Sequence, residues 1–214
     1  MFLQANEKNQ SPKENESETI TLPDPDFDGE YSIEQTLLKR RSVRSYSDEP
    51  LSLAEISQLL WAAQGITNRQ GFRTAPSAGA LYPLEVYIVA GNVNDLPDGI
   101  YHYVPRGHKL EKVVEGDKRV ELWAASLRQD CVGEGAAVIV FSAVYKRTTW
   151  KYGKRGNQYV HIEVGHAAEN VFLQAVALDL GAVIIGAFYD DKVQKVINMR
   201  KEEIPLLIIP IGKM

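Results

Sequence analysis

The sequence predicts a layered α+β or α/β domain, a sheet covered by helices on both faces. Helical and strand periodicities alternate along the chain, two adjacent strand segments read as a hairpin, and one long helix signal is apolar all round. At 214 residues the chain suits one domain, or at most a domain with an appendage. A domain of that size buries roughly 70% of its extended-chain surface, so its core needs no staples.

The elements follow in order. Residues 1–30 are a separate regime, a polar tail or arm ahead of a domain over residues 31–214. The stretch QANEKNQSPKENESET holds almost no core-forming side chain and cannot offset the entropy of ordering itself. LPDPDFDG (22–29) reads as an extended segment laid on a surface. Ser32 and Gln35 form a capping box that opens a helix ending near Arg40 or Arg41. A second box, Ser52 and Glu55, opens a helix with Leu53, Ile56, Leu59, Leu60 and Ala63 on one face and Gly65 as its stop. EVYIVAG (85–91) reads as a buried strand, and GIYHYVP (99–105) with KLEKVVEG (109–116) as the hairpin. A helix at 117–128 and the strand AAVIVFSAV (136–144) follow. The long helix, 159–180, is apolar on every side and is expected to be central and buried. Strand 182–188, helix 190–198 and strand 205–212 complete the pattern.

Composition excludes several functions. With 24 basic and 28 acidic residues the net charge is -4, which disfavours nucleic acid or an anionic membrane as the main partner. Cys131 is the only cysteine, so neither an internal disulfide nor a Cys-based zinc site can form. No apolar run approaches the roughly 20 residues of a membrane span. The start MFLQANEKNQ lacks a signal peptide, so a cytoplasmic location is expected.

Several motifs fail on inspection. GEGAAV (133–138) precedes its strand and lacks the third glycine of a dinucleotide loop. No phosphate-binding GxxxxGK[ST] and no GxSxG elbow are present. His161 and His166 are five apart, which puts them roughly 140° apart around a helix and prevents them from sharing a metal. Both read as histidines satisfied within the protein, and Cys131 as a small core residue.

Four segments remain, each with a bland and a sharp reading. RRSVRSY (40–46) is either favourable charge at a helix end or an arginine–serine clamp for a phosphate. APSAGALYPLEVYIV (75–89) sets small residues before a buried strand, either a tight loop or a place where backbone approaches a flat ligand. WKYGKRGNQY (150–159) reads as a basic, aromatic loop carrying Lys151 and Tyr152. IIGAF (184–188) and the terminal PIGKM (210–214) read as core strands, with Gly186 permitting close packing.

Together, in this order, and with DGIYHYVP and the long YVHIEVGHAAENVFLQA between them, these segments resemble the nitroreductase superfamily. Within it they are most similar to the SagB-type, azoline-oxidising dehydrogenases. The resemblance covers about residues 22–212. It implies a mostly antiparallel central sheet flanked by helices, and a homodimer with an FMN at each interface. It implies that Arg40, Arg41, Ser42 and Arg44 hold the FMN phosphate and ribityl chain, with Lys213 as a further phosphate-side cation. Pro76, Ser77, Ala78 and Gly79 would lie against the isoalloxazine of the partner subunit, and Ile184, Ile185, Gly186 and Ala187 would pass over the ring face. Lys151 and Tyr152 match the branch's lysine–tyrosine pair, implied to handle the proton as hydride leaves the substrate. The implied function is hydride transfer through flavin between NADPH, NADH or an organic donor and a small acceptor. The alternatives are azoline oxidation in a modified peptide and a non-catalytic flavin-binding dimer. Many relatives have a carboxyl-terminal extension that wraps the partner. Here the sequence stops at Met214, and residues 1–30 are expected to do some of that wrapping. The compact chain, without an evident peptide-docking module, favours a small-molecule substrate over a peptide.

Overall fold

The structure, a computed structural model, describes residues 18–214. Among these, β1 (Thr19–Thr21), β2 (Leu84–Ala90), β3 (Gly99–Val104), β4 (Lys109–Glu115), β5 (Ala137–Ala143), β6 (Leu180–Ala182) and β7 (Ile204–Lys213) form one sheet. Its order is β1-β4-β3-β2-β5-β7-β6, and every neighbouring pair is antiparallel. Strand alternation divides the core in two. Leu84, Val86 and Ile88 of β2 point into one cluster, while Tyr87 and Val89 point into the other.

The helices are α1 (Ile33–Lys39), α2 (Leu53–Gln64), α3 (Arg119–Ala125), α4 (Asp130–Glu134), α5 (Lys146–Tyr152), α6 (Arg155–Ala177) and α7 (Asp190–Ile197). On one face of the sheet α2 supplies Ile56, Leu59, Leu60 and Ala63, and α6 supplies Val160, Val164, Ala167 and Val171. On the other, Leu122 of α3, Val132 of α4, and Val193 and Ile197 of α7 close the second cluster. Both capping boxes form, Ser32 with Gln35 and Ser52 with Glu55. The α+β layering and the antiparallel sheet are as expected.

Several local expectations are corrected. WKYGKRGNQY is not a loop: α5 runs to Tyr152, Gly153 turns the chain at φ +54°, and α6 begins at Arg155. The apolar run 182–188 is not a strand. It leaves the sheet after Ala182, and Ile185 makes only an isolated bridge to Ile208. Helix α6 is not buried all round, since Ile162 is 52% exposed in the single chain. His161 is satisfied, its Nε2 lying 2.5 Å from the Tyr145 hydroxyl, but His166 faces solvent.

The sheet also begins inside the stretch expected to be a tail, because Thr19–Thr21 pairs with Lys109–Glu111. The lead-in after it lies on α2. Leu22 is buried, Ser57 donates to the Pro23 carbonyl at 2.6 Å, and the Gln58 amide both accepts from and donates to the Asp26 backbone at 2.8 Å. The rest of the proposed wrapping arm, residues 1–17, lies outside the described residues. No described helix is long and apolar enough to cross a membrane.

Candidate active site

The segment after Ala75 makes a tight turn through left-handed backbone. Gly79, Ala80 and Tyr82 all have left-handed backbone, with φ of +65°, +54° and +45°. The Ser77 hydroxyl steadies the turn by accepting from the Tyr82 N–H at 2.9 Å. A methyl group built on Gly79 would lie 2.7 Å from Tyr152 Oη and 3.0 Å from Lys151 Nζ. The glycine backbone therefore sits directly against the two side chains, with no room for anything larger. Tyr152 closes α5 and is braced edge-on by Tyr159, ring centroids 5.1 Å apart. The Lys151 ammonium is 5.4 Å from the Tyr152 ring centroid.

Beneath this turn lies a residue that the sequence reading passed over. Glu163 is 2% exposed, on the buried stripe of α6 between Val160 and Ala167. Burial pushes its carboxyl up to about 7, while a hydrogen bond from Ser77 and the charge of Arg73 pull the other way. Its Oε1 has no hydrogen-bond partner among the described residues. The available signal was an acidic residue in phase with the apolar positions of a helix, three after Val160 and four before Ala167.

The arginine segment forms a second group. Arg40 lies with its guanidinium 5.4 Å from the Phe172 ring centroid, and Arg41 donates to the carbonyls of Leu38 and Arg40 at 3.1 and 2.7 Å. Ser42 bridges to Ala182, and the Val43 N–H donates to the Ala182 carbonyl at 2.9 Å. That contact needs Gly181, where a Cβ would come within 2.7 Å of Val43 Cγ1. Among the described residues, Arg40, Arg41 and Arg44 form no ion pair with a carboxylate. Lys213 differs: it is paired with Glu55. Ile184, Gly186 and Ala187 are open to solvent beside this group, whereas Ile185 turns into the second core cluster.

The structure thus joins Pro76–Gly79 to Lys151–Tyr152, and Arg40–Arg44 to the chain leading into Ile184–Ala187. Phe172 is nine residues beyond Glu163 on α6, which separates the two groups by about 14 Å along the helix axis. No cluster of metal-ligating side chains occurs among the described residues.

A protein of Methanocaldococcus jannaschii, provisionally called a nitroreductase, is 43% identical over 196 residues, covering 92% of this chain and 98% of its own. The microcin B17-processing protein McbC of Escherichia coli is 27% identical over 143 residues; the match takes in 64% of this chain and about half, 52%, of McbC. Among solved structures, one from Ralstonia eutropha, also provisionally called a nitroreductase, superposes with a TM-score of 0.80 at 32% identity, over 91% of this chain and 89% of that one. A microcin-processing protein and a trifolitoxin operon protein therefore stand beside a provisionally named nitroreductase among its relatives. The nitroreductase family model matches residues 37–213, and the chain belongs to that family.

Proposed function

We propose that the protein is an FMN-dependent oxidoreductase, acting as a homodimer, that moves hydride between a reduced nicotinamide or organic donor and a small acceptor. The observation that carries this reading is the approach of the Gly79 backbone to Lys151 Nζ and Tyr152 Oη, at 3.0 and 2.7 Å from a built Cβ. A bare backbone surface beside a proton-carrying pair suits a flat ring and a reacting substrate.

The residues fit the cofactor. Three guanidinium groups without carboxylate partners among the described residues, at Arg40, Arg41 and Arg44, suit a phosphate dianion, with the Ser42 hydroxyl beside them. Lys213 adds no net charge there while Glu55 holds it. Ile184, Gly186 and Ala187 offer an open surface to a ring, and Ile185 supports them from the core. When bound, FMN supplies the hydride chemistry. Lys151 and Tyr152 hold or move the proton at the substrate, while Pro76–Gly79 set the distance of closest approach.

Two features support a shared site. Arg40 of the phosphate-clamp group packs on Phe172 in the second half of α6, and Tyr152 packs on Tyr159 in its first turns, so a second copy would bring one of each group together. Leu37 and Leu38 of α1, Trp150 of α5 and Ile162 of α6 are 57%, 74%, 70% and 52% exposed, an apolar surface for a partner to cover.

The test is a visible absorption spectrum of the purified protein, followed by anaerobic addition of NADPH and NADH. Flavin bands that bleach support the reading and identify the donor. A protein that cannot be loaded with FMN refutes it. The Lys151–Tyr152 juxtaposition also favours a second reading, oxidation of azoline rings in a modified peptide. That reading expects a yellow protein that neither nicotinamide reduces.

A further inference from the structure

The ends of β2 and β3 nearest the Gly79 turn open into a cavity of about 360 Å³ whose lining includes Gln64, Arg73, Glu85, Arg106 and Arg147. Its charges are unbalanced. Glu85 is the one carboxylate in the lining, and it is already engaged by Arg147, by Arg200 at 2.8 Å and by His102 at 2.7 Å. Arg73 has no carboxylate in contact among the described residues. It donates to Gln64 Oε1 at 2.8 Å and lies 4.3 Å from the Tyr82 ring centroid, although burial works against its charge. Gln64 is fully buried, and its Nε2 has no acceptor among the described residues. Arg106 stands exposed on the lining without an ion-pair partner among the described residues. A buried amide donor and a half-buried guanidinium, both lacking an anion, are costly unless something fills the space.

We propose that this cavity is a carboxylate subsite held by Arg73, Arg106 and the Gln64 amide, so that the substrate is a small organic acid. This names the substrate class of the flavin site and rests on the function proposed above. A planar carboxylate matches the flat donor forks of a guanidinium and an amide. A phosphate dianion matches less well, because Glu85 stays ionised in the wall. Burial raises its pKa, but the His102 hydrogen bond and the Arg147 charge outweigh this and hold it at about 2.

The cavity adjoins the candidate active site through Tyr82. Arg73 packs on the Tyr82 ring, Arg147 donates to its carbonyl at 3.1 Å, and its N–H binds Ser77. Arg147 and Lys151 share α5 four residues apart, on one side of the helix and about 6 Å along its axis. A molecule with its acid group in the cavity would therefore present its far end to Lys151 and Tyr152.

Calorimetric titration with para-nitrobenzoate and with its methyl ester, in the absence of an electron donor, tests the proposal. The acid is expected to bind tighter than the ester by about tenfold or more, and Arg106→Ala is expected to erase most of that preference. Arg106 is exposed, so the variant leaves the core intact. An acid bound no better than its ester, a preference untouched by Arg106→Ala, or inorganic phosphate displacing the acid at equal concentration would each overturn the subsite. Binding is read apart from turnover. A protein that prefers the acid but reduces no nitro group contradicts the redox reading and supports the subsite. One that turns over acid and ester with equal KM does the reverse.

Discussion

Replacing Glu163 by glutamine should stabilise the protein, and only above a certain pH. The carboxyl is 2% exposed, and burial raises its pKa from 4.5 to about 7. Between those two values the native state keeps a proton that the unfolded chain has already released. Native protein thus binds more protons than unfolded protein, and stability falls as pH rises through that window, levelling off above about 7. That displacement, from 4.5 to about 7, at about 1.4 kcal/mol per unit sets a ceiling of about 3–4 kcal/mol on the loss. Glutamine is neutral throughout. Glu163→Gln should therefore match the wild type near pH 5 and exceed it near pH 8 by up to about 3–4 kcal/mol. Urea unfolding at several pH values and one fixed protein concentration measures this, the fixed concentration removing any contribution from association. A variant whose advantage does not grow between those pH values, or that is the weaker protein at the higher one, would refute the argument.

Three further outcomes follow from the same geometry. Lys151→Ala should retain bound flavin but lose about a hundredfold or more in turnover, read by steady-state kinetics and the flavin spectrum of the same sample. Gly79→Ala places a Cβ 2.7 Å from Tyr152 Oη at φ +65°, so it should cost about 1–2 kcal/mol by thermal melting and depress kcat more than it changes KM. Glu85 is held ionised, its pKa lowered to about 2, so it contributes stability above about pH 4.5 that is lost as pH falls toward 2. Glu85→Gln should destabilise by about 2–3 kcal/mol at neutral pH, and the gap from wild type should shrink in melts near pH 3.

What the sequence revealed, it revealed through local chemistry. Both capping boxes announced their helices because Ser32–Gln35 and Ser52–Glu55 satisfy backbone donors within four residues. The hairpin and β5 were legible because their alternation or unbroken apolarity is itself the packing pattern. Helix α5 was not legible, since KRTTWKY carries little apolar periodicity and buries only Thr148. The run 182–188 misled because apolar residues are also needed where chain packs without pairing: Val183 and Ile185 fill the second core from irregular backbone. Strand β1 is three residues long and polar on its open face, so no periodicity could mark it. In the site, residue types and order pointed to Gly79, Lys151 and Tyr152. Their mutual contact depends on the left-handed turn at Gly79 meeting the end of α5, which only the folded chain discloses. Glu163 and Gln64 escaped because an unmet hydrogen bond is a property of surroundings.

The placement of β7 sets the order in which the chain can mature. This strand, residues 204–213, lies between β5 and β6 and pairs with both. During synthesis the meander β2–β3–β4 and its partner β5 emerge first and can zip together as they leave the ribosome. Until residue 204 follows, β5 shows a bare edge, and its sequence AVIVFSA is apolar but for Ser142. A nascent chain stalled in that interval presents an adhesive strand to its neighbours on a polysome. Premature termination anywhere between residues 144 and 204 should accordingly yield insoluble product, where the finished chain conceals the same surface.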